Sequence, residues 1–233
     1  MGYYSTLEER EKGHRQAFRG HPVLVDISRL SDEHFKQILL QRYALTRDMF
    51  MSWYDGALPA IKDEQSRRIL KAITREELPL HAPSHREDAL VDLVKIGIPE
   101  ETILTTPLTL TTLDSGKRLK ELVQLREKDQ RDEADIRIIA TCTLGGETLP
   151  GDEFKIYCDQ LEQRGLLTEK ESRFYWPHLG HDSVEAKGMS HSKRLKQSLL
   201  RLVDTDEKLK IAELAYADSW KARYQFYDQF KTF

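Results

Sequence analysis

"SDEHFKQILLQRYALTRDMFMSWYDGAL" (residues 31–58) decides the fold class. Ser31 stands where a side-chain oxygen caps a helix. Asp32 and Glu33 follow in the first turn, where acidic groups meet the positive end of the helix dipole. Phe35, Ile38, Leu39, Arg42/Tyr43, Thr46, Met49/Phe50 and Trp53 then recur at helical spacing along one face. Gly56 and Pro59 end the run. The same period continues outward. "DEQSRRILKAITREEL" (63–78) is closed by Pro79, and "HREDALVDLVKIG" (85–97) stops at Gly97 and Pro99. "TLTTLDSGKRLKELVQLREKD" (109–129) and "EADIRIIATCTL" (133–144) are further helices, with Gly145–Gly146 and Pro150–Gly151 interrupting after the second. "DEFKIYCDQLEQRG" (152–165), "TEKESRFYWPHLGHDSVEAKG" (168–188) and "TDEKLKIAELAYADSWKARYQFYDQF" (205–230) complete the set. Only "TILTTPLTLTTL" (102–113) is ambiguous between strand and helix. No repeat and no Gly/Ser/Pro-rich linker divides the chain. These features predict an all-α fold: one helical-bundle domain over residues 1–233, with about seven to nine helices around one core and residues 1–20 as a peripheral helix or arm.

The composition narrows the function classes. The chain has 233 residues, 39% hydrophobic and 32% charged, with a net charge of −3 and both signs interspersed. That is the balance of a globular protein able to bury a sizeable core. No basic stripe points to nucleic acid. No apolar run approaches the ~18 residues of a membrane span. The polar start "MGYYSTLEEREKGHRQ" does not read as a secretory signal. Cys142 and Cys158 form no CxxC and read as reduced thiols, so the expected location is cytoplasmic.

Three clusters carry candidate chemistry. In "FYWPHLGHDSVEA" (174–186), helical geometry turns His178, Asp182 and Glu185 the same way. An imidazole with anionic oxygens is the ligand set of iron or manganese, less often zinc. The plainer alternative is a polar stripe with ion pairs. In "REELPLHAPSH" (75–85), Glu76, Glu77, His81 and His85 are available, although Pro79 and Pro83 disturb the geometry. Glu147 follows a strongly apolar segment, and a carboxylate entering the core is costly unless paired or metal-bound. No HExxH, P-loop, GxSxG or GxGxxG is present. For a substrate, Arg42 and Arg47 suit a carboxylate. Tyr43, Phe50, Trp53 and Trp176 could line an aromatic pocket or simply fill the core.

Taken together, these clusters resemble the haem-oxygenase-like di-iron oxidases, relatives of the TenA/PqqC group. The family's final His-x3-Asp-x2-His appears here as His178-x3-Asp182-x2-Glu185. Its lone mid-chain Glu matches Glu147, followed by "TLP". Its helix-borne Glu and His match Glu76 or Glu77 and His85, with "IPEE" (98–101) following at the family distance. The "HP" at 21–22 also matches the family opening. Two departures stand out. The Glu-to-His spacing is longer than usual, which a bulged helix could absorb, and Glu185 replaces the last His.

The resemblance implies two Fe(II) ions with O2 as co-substrate, held by His85, Glu147, His178, Asp182 and Glu185 with Glu76 or Glu77. It implies an O2-dependent oxidoreductase acting on a free amino acid or small carboxylate. Family outcomes include N-oxygenation, desaturation, C–C cleavage and oxidative rearrangement, among them conversion of an amino acid to a nitrile. An aromatic amino acid such as a tryptophan derivative becomes attractive if the aromatic residues face the irons. A homodimer and an external electron donor are further expectations. The alternatives are a metal-free TenA-like hydrolase and a non-catalytic helical binding protein.

Overall fold

The computed structural model describes residues 2–127, 129, 132–182 and 189–231, with 180–182 described in backbone only. Every regular element among these residues is helical. In chain order they are α1 (Tyr3–Arg19), α2 (Pro22–Val25), α3 (Asp32–Leu45), α4 (Met51–Ala60), α5 (Glu64–Glu77), α6 (His85–Lys95), α7 (Glu100–Thr105), α8 (Leu110–Val123), α9 (Glu133–Thr141), α10 (Leu149–Gln163), α11 (Tyr175–Asp182), α12 (His191–Leu202) and α13 (Asp206–Phe226). A π-helical turn at Thr46–Phe50 joins α3 to α4, and another at Cys142–Thr148 joins α9 to α10. If each joined pair is read as one long helix and the short α2 and α7 are set aside, nine helices remain among the described residues. The strand-like 102–113 segment instead divides between α7 and the start of α8.

The buried apolar side chains form one continuous cluster. α13 runs through it against α9, α8 and α1. The N-terminal segment is the helix α1, which buries Leu7 and Phe18. Several start and stop signals act as their chemistry predicts, although Gly56 and Pro59, expected to end the run, lie inside α4, which continues to Ala60. The Ser31 hydroxyl accepts from the His34 amide. Gly97 takes φ +86°, and its amide and that of Ile98 bond back to Val94 and Leu93, the paired closure of a helix end in which glycine avoids a Cβ clash.

The glycines at 145–146 do not interrupt the helix, contrary to the sequence expectation. Neither has positive φ. A Cβ on Gly145 would lie 2.8 Å from the Ser219 Cβ, so the residue serves the close approach of α13. The 168–188 segment is also not one helix. Its regular part among the described residues begins at Tyr175, for a reason that lies in the site.

Candidate metal centre

α5 ends at Glu77 and α6 begins at His85. Pro79 and Pro83 lie between them, so the chain breaks here and does not form the bulged helix expected from the family spacing. Ser84 and Glu87 form a reciprocal capping box that fixes His85 as the first residue of α6. His85 Nδ1 lies 2.9 Å from Glu77 Oε2. The ring of His178 stands 4.3 Å from that of His85, centroid to centroid. One ligand atom from each of Glu77, His85 and His178 falls within 4.8 Å of the others. Two imidazoles and a carboxylate on one side of a cavity are the donor set of mononuclear non-haem iron(II) sites. The setting fits a metal as well. His178 is buried, and its Nδ1 lies 2.9 Å from the Phe174 carbonyl. A carbonyl only accepts, so Nδ1 carries the proton and Nε2 presents its lone pair, as metal-binding histidines require. His81, by contrast, is exposed.

The two histidines are registered by Asp92, two turns along α6 from His85. Its fully buried carboxylate accepts from the Ser172 hydroxyl (2.6 Å) and from the amides of Arg173 (2.8 Å), Phe174 (2.9 Å) and Tyr175 (3.4 Å). These are the orphan donors at the start of α11. Asp92 therefore holds 172–174 out of the helix, starts α11 at Tyr175, and places His178 on its first turn.

Glu147 occupies the second π turn and is buried. It accepts a hydrogen bond from the Tyr54 hydroxyl. Burial, reinforced by Glu147, pushes the Tyr54 pKa well up, so the phenol stays a donor. On its other side, Glu147 Oε2 is 3.3 Å from His191 Nδ1. His191 Nε2 lies 2.6 Å from Glu76 Oε2, and Arg194 grips Glu76 at 3.0 and 3.3 Å. Burial works to raise the Glu76 pKa, but the bonds from Arg194 and His191 outweigh it and hold the carboxyl below its ordinary value. The adjacent glutamates thus part company: Glu77 joins the histidine pair, and Glu76 faces His191. Asp182 ends α11, but its side chain is outside the description; Glu185 lies outside the described residues.

Glu77, Glu147 and His178 share a cavity with Arg42, Thr46, Phe50, Gly146, Pro150, Phe154 and Phe174. Both π turns contribute to its wall. Arg42 is buried; its Nε donates to Glu153 Oε2 at 2.5 Å, and its guanidinium lies 5.4 Å above the Phe154 ring. Glu153 also accepts from the Tyr227 hydroxyl. Tyr43 lines an adjoining apolar hollow with Arg42, Phe154 and Phe174. Phe50 packs edge-on against Trp53 and Tyr54.

The remaining candidate substrate residues lie elsewhere. Arg47 pairs with Asp48 and donates to the carbonyls of Ile103, Leu104 and Thr106, which closes the end of α7. Trp53 is buried and donates to the Gly116 carbonyl at 3.1 Å. Trp176 packs half-buried against the core.

Among solved structures, the chain superposes on a TenA homologue from P. horikoshii OT3 with a TM-score of 0.64 at 13% identity, covering 99% of this chain and 98% of that one. The fold is that of the TenA homologues, the haem-oxygenase-like helical bundle. A TenA family transcription regulator from Silicibacter sp. superposes at TM-score 0.62 with 10% identity, over 98% and 96% of the two chains. A CADD-like protein of unknown function from Nostoc punctiforme gives 0.64 at 14% identity, over 97% and 94%. No family model and no curated protein matches the chain. Identities this low establish the fold alone.

Sequence reasoning missed Asp92, Tyr54, Glu153 and His191. Asp92, Tyr54 and Glu153 sit among apolar residues at helical spacing, a signal of burial and of a needed partner. His191 follows Ser190 in a stretch (189–204) that the helical reading of the sequence passes over; Ser190 caps α12 there, and that cap is the available signal.

Proposed function

We propose that this chain is a non-haem iron enzyme that uses O2 to oxidise a small amino acid or carboxylate, an aromatic amino acid fitting best. The observation that carries the reading is the Glu77–His85–His178 cluster, whose buried Glu77 and His178 line the Arg42 cavity. Iron(II) bound there would supply the activation of O2; Glu147, which lines the same cavity, would share a second ion. The chain's own residues do the rest. Phe174 and Asp92 hold His178 in its liganding orientation. Arg42, fixed by Glu153, offers its guanidinium to a substrate carboxylate. Phe50, Phe154 and Phe174 supply an apolar wall that suits an aromatic side chain and displaces water. Tyr54 holds Glu147 by donating to it.

A thiol-based hydrolase finds no support here. Cys142 and Cys158 are buried, and burial pushes both thiols far above the range where a thiolate forms. The test is an anaerobic Fe(II) titration followed by O2 with free amino acids supplied one at a time. Iron binding, a transient visible band and amino-acid-dependent O2 consumption are expected. Absence of iron binding, or hydrolysis without O2 uptake, overturns the reading.

A further inference from the structure

The sequence resemblance assigns the second ion's remaining ligands to Asp182 and to Glu185, the position where the family His is missing. The structure offers a nitrogen from elsewhere. His191 is 1% exposed at the first residue of α12, against Glu147. Its two ring nitrogens are engaged differently. Nε2 lies 2.6 Å from Glu76 Oε2, a short charge-assisted bond that places a proton on Nε2. Arg194 holds the same carboxylate from behind with both terminal nitrogens. Nδ1 points at Glu147 Oε2, 3.3 Å away.

In the neutral ring the proton on Nε2 leaves a lone pair on Nδ1. That lone pair faces a carboxylate oxygen in a buried setting, an arrangement that a cation held between the two groups would satisfy. The gap is longer than the ~2.7–2.9 Å of an imidazolium–carboxylate hydrogen bond. It matches the separation of two donors on one ion, since bonds of about 2.1 Å set at slightly more than a right angle put their ends ~3.0–3.4 Å apart. Glu76 then stands where metal sites keep their outer carboxylate, bonded to the far nitrogen of a liganding imidazole so that ring and tautomer are fixed.

We infer that His191 Nδ1 is a ligand of the second metal ion, shared with Glu147, and that Glu76, clamped by Arg194, is the positioning carboxylate of that histidine. The assignment rests on the iron reading above. It gives the paired glutamates separate duties, Glu77 toward one ion and Glu76 behind the ligand of the other, and supplies from α12 the nitrogen that the family motif lacks here.

Metal stoichiometry separates the two claims. The full chain, stripped and reloaded anaerobically with Fe(II), is expected to hold two ions. His191→Ala should hold one with unchanged helical circular dichroism. Glu76→Gln, at a half-exposed position that tolerates the change, should retain two sites but weaken one of them by about 10–100-fold. Two ions in His191→Ala, as in the parent, overturn the assignment while leaving the iron reading intact. No ion in the parent sinks both. Should His191→Ala fail to fold, unaltered Fe(II) affinity in Glu76→Gln overturns the proposal by itself.

Discussion

Asp92→Ala tests whether α11 is placed by one side chain. The carboxylate is the acceptor for four donors at the helix start, and the amides of Phe174 and Tyr175 are buried. Alanine leaves those two amides without an acceptor at about 1–3 kcal/mol each, so the loss should be ~4 kcal/mol. For a domain of this size that lowers the melting temperature by about 8–16 °C. Asn keeps the volume and one carbonyl oxygen but gives up the charge, so Asp92→Asn should lose only ~1–2 kcal/mol. The site consequence is separate from stability. His178 is carried by the helix that Asp92 starts, so Fe(II) affinity should fall ~10–100-fold in Asp92→Ala even well below its melting temperature. Urea unfolding with a parallel anaerobic Fe(II) titration measures both. A loss under ~1 kcal/mol with unchanged iron affinity would refute the argument.

His178→Ala should abolish iron binding at the Glu77–His85 site while the far-ultraviolet spectrum stays helical; undiminished iron per chain removes His178 from the ligand set. Arg42→Ala strands the buried Glu153 and should cost ~3–5 kcal/mol, whereas the double change to Met at both positions should cost far less, because breaking a buried pair is worse than replacing it. Equal losses in denaturant melts would contradict that. Asp63 caps α5, and although burial works to raise its pKa, bonds from Arg201 and Ser66 bring it down to about 2. The folded value lies below the unfolded one of ~3.9, so its contribution is complete above that pH and disappears as pH falls through about 2. The stability gap between the parent and Asp63→Asn should therefore close between about pH 4 and 2; a gap constant across that window argues against the cap.

Much of this architecture is legible in the sequence because helical period and end signals are local. Ser31, Gly97 and Pro79 each act within a turn of themselves. Gly145 was misread because the same residue that ends helices also admits a neighbouring backbone, and only the position of Ser219 on α13 distinguishes the two uses. The site is legible in residue type more than in grouping. His85, His178, Glu147 and the Glu76–Glu77 pair stand out as metal-type donors, but which glutamate turns toward which histidine depends on where α5 ends and where α12 begins. Arg47 illustrates the limit. Its five-residue spacing already turns it about 140° from Arg42 on a helix, but only the fold shows that the carbonyls of α7 are what it meets there.

The paired π turns have a consequence for how such a protein changes over generations. A π turn holds one residue more than the α-helical path through the same space. Excising a residue from 142–148 would restore an ordinary helical turn through the same space and leave α9 and α10 in phase. What would be lost is the bulge that carries Gly146 and Glu147 into the cavity wall, while the core positions Ile136, Ile138 and Ile139 stay where they are. Chemistry in this bundle is thus tied to chain length at two points more tightly than to the identity of most side chains. Among descendants of a common ancestor, loss or recruitment of the site should be recorded as single-residue insertions and deletions at 46–50 and 142–148, in helices whose remaining residues keep their pattern.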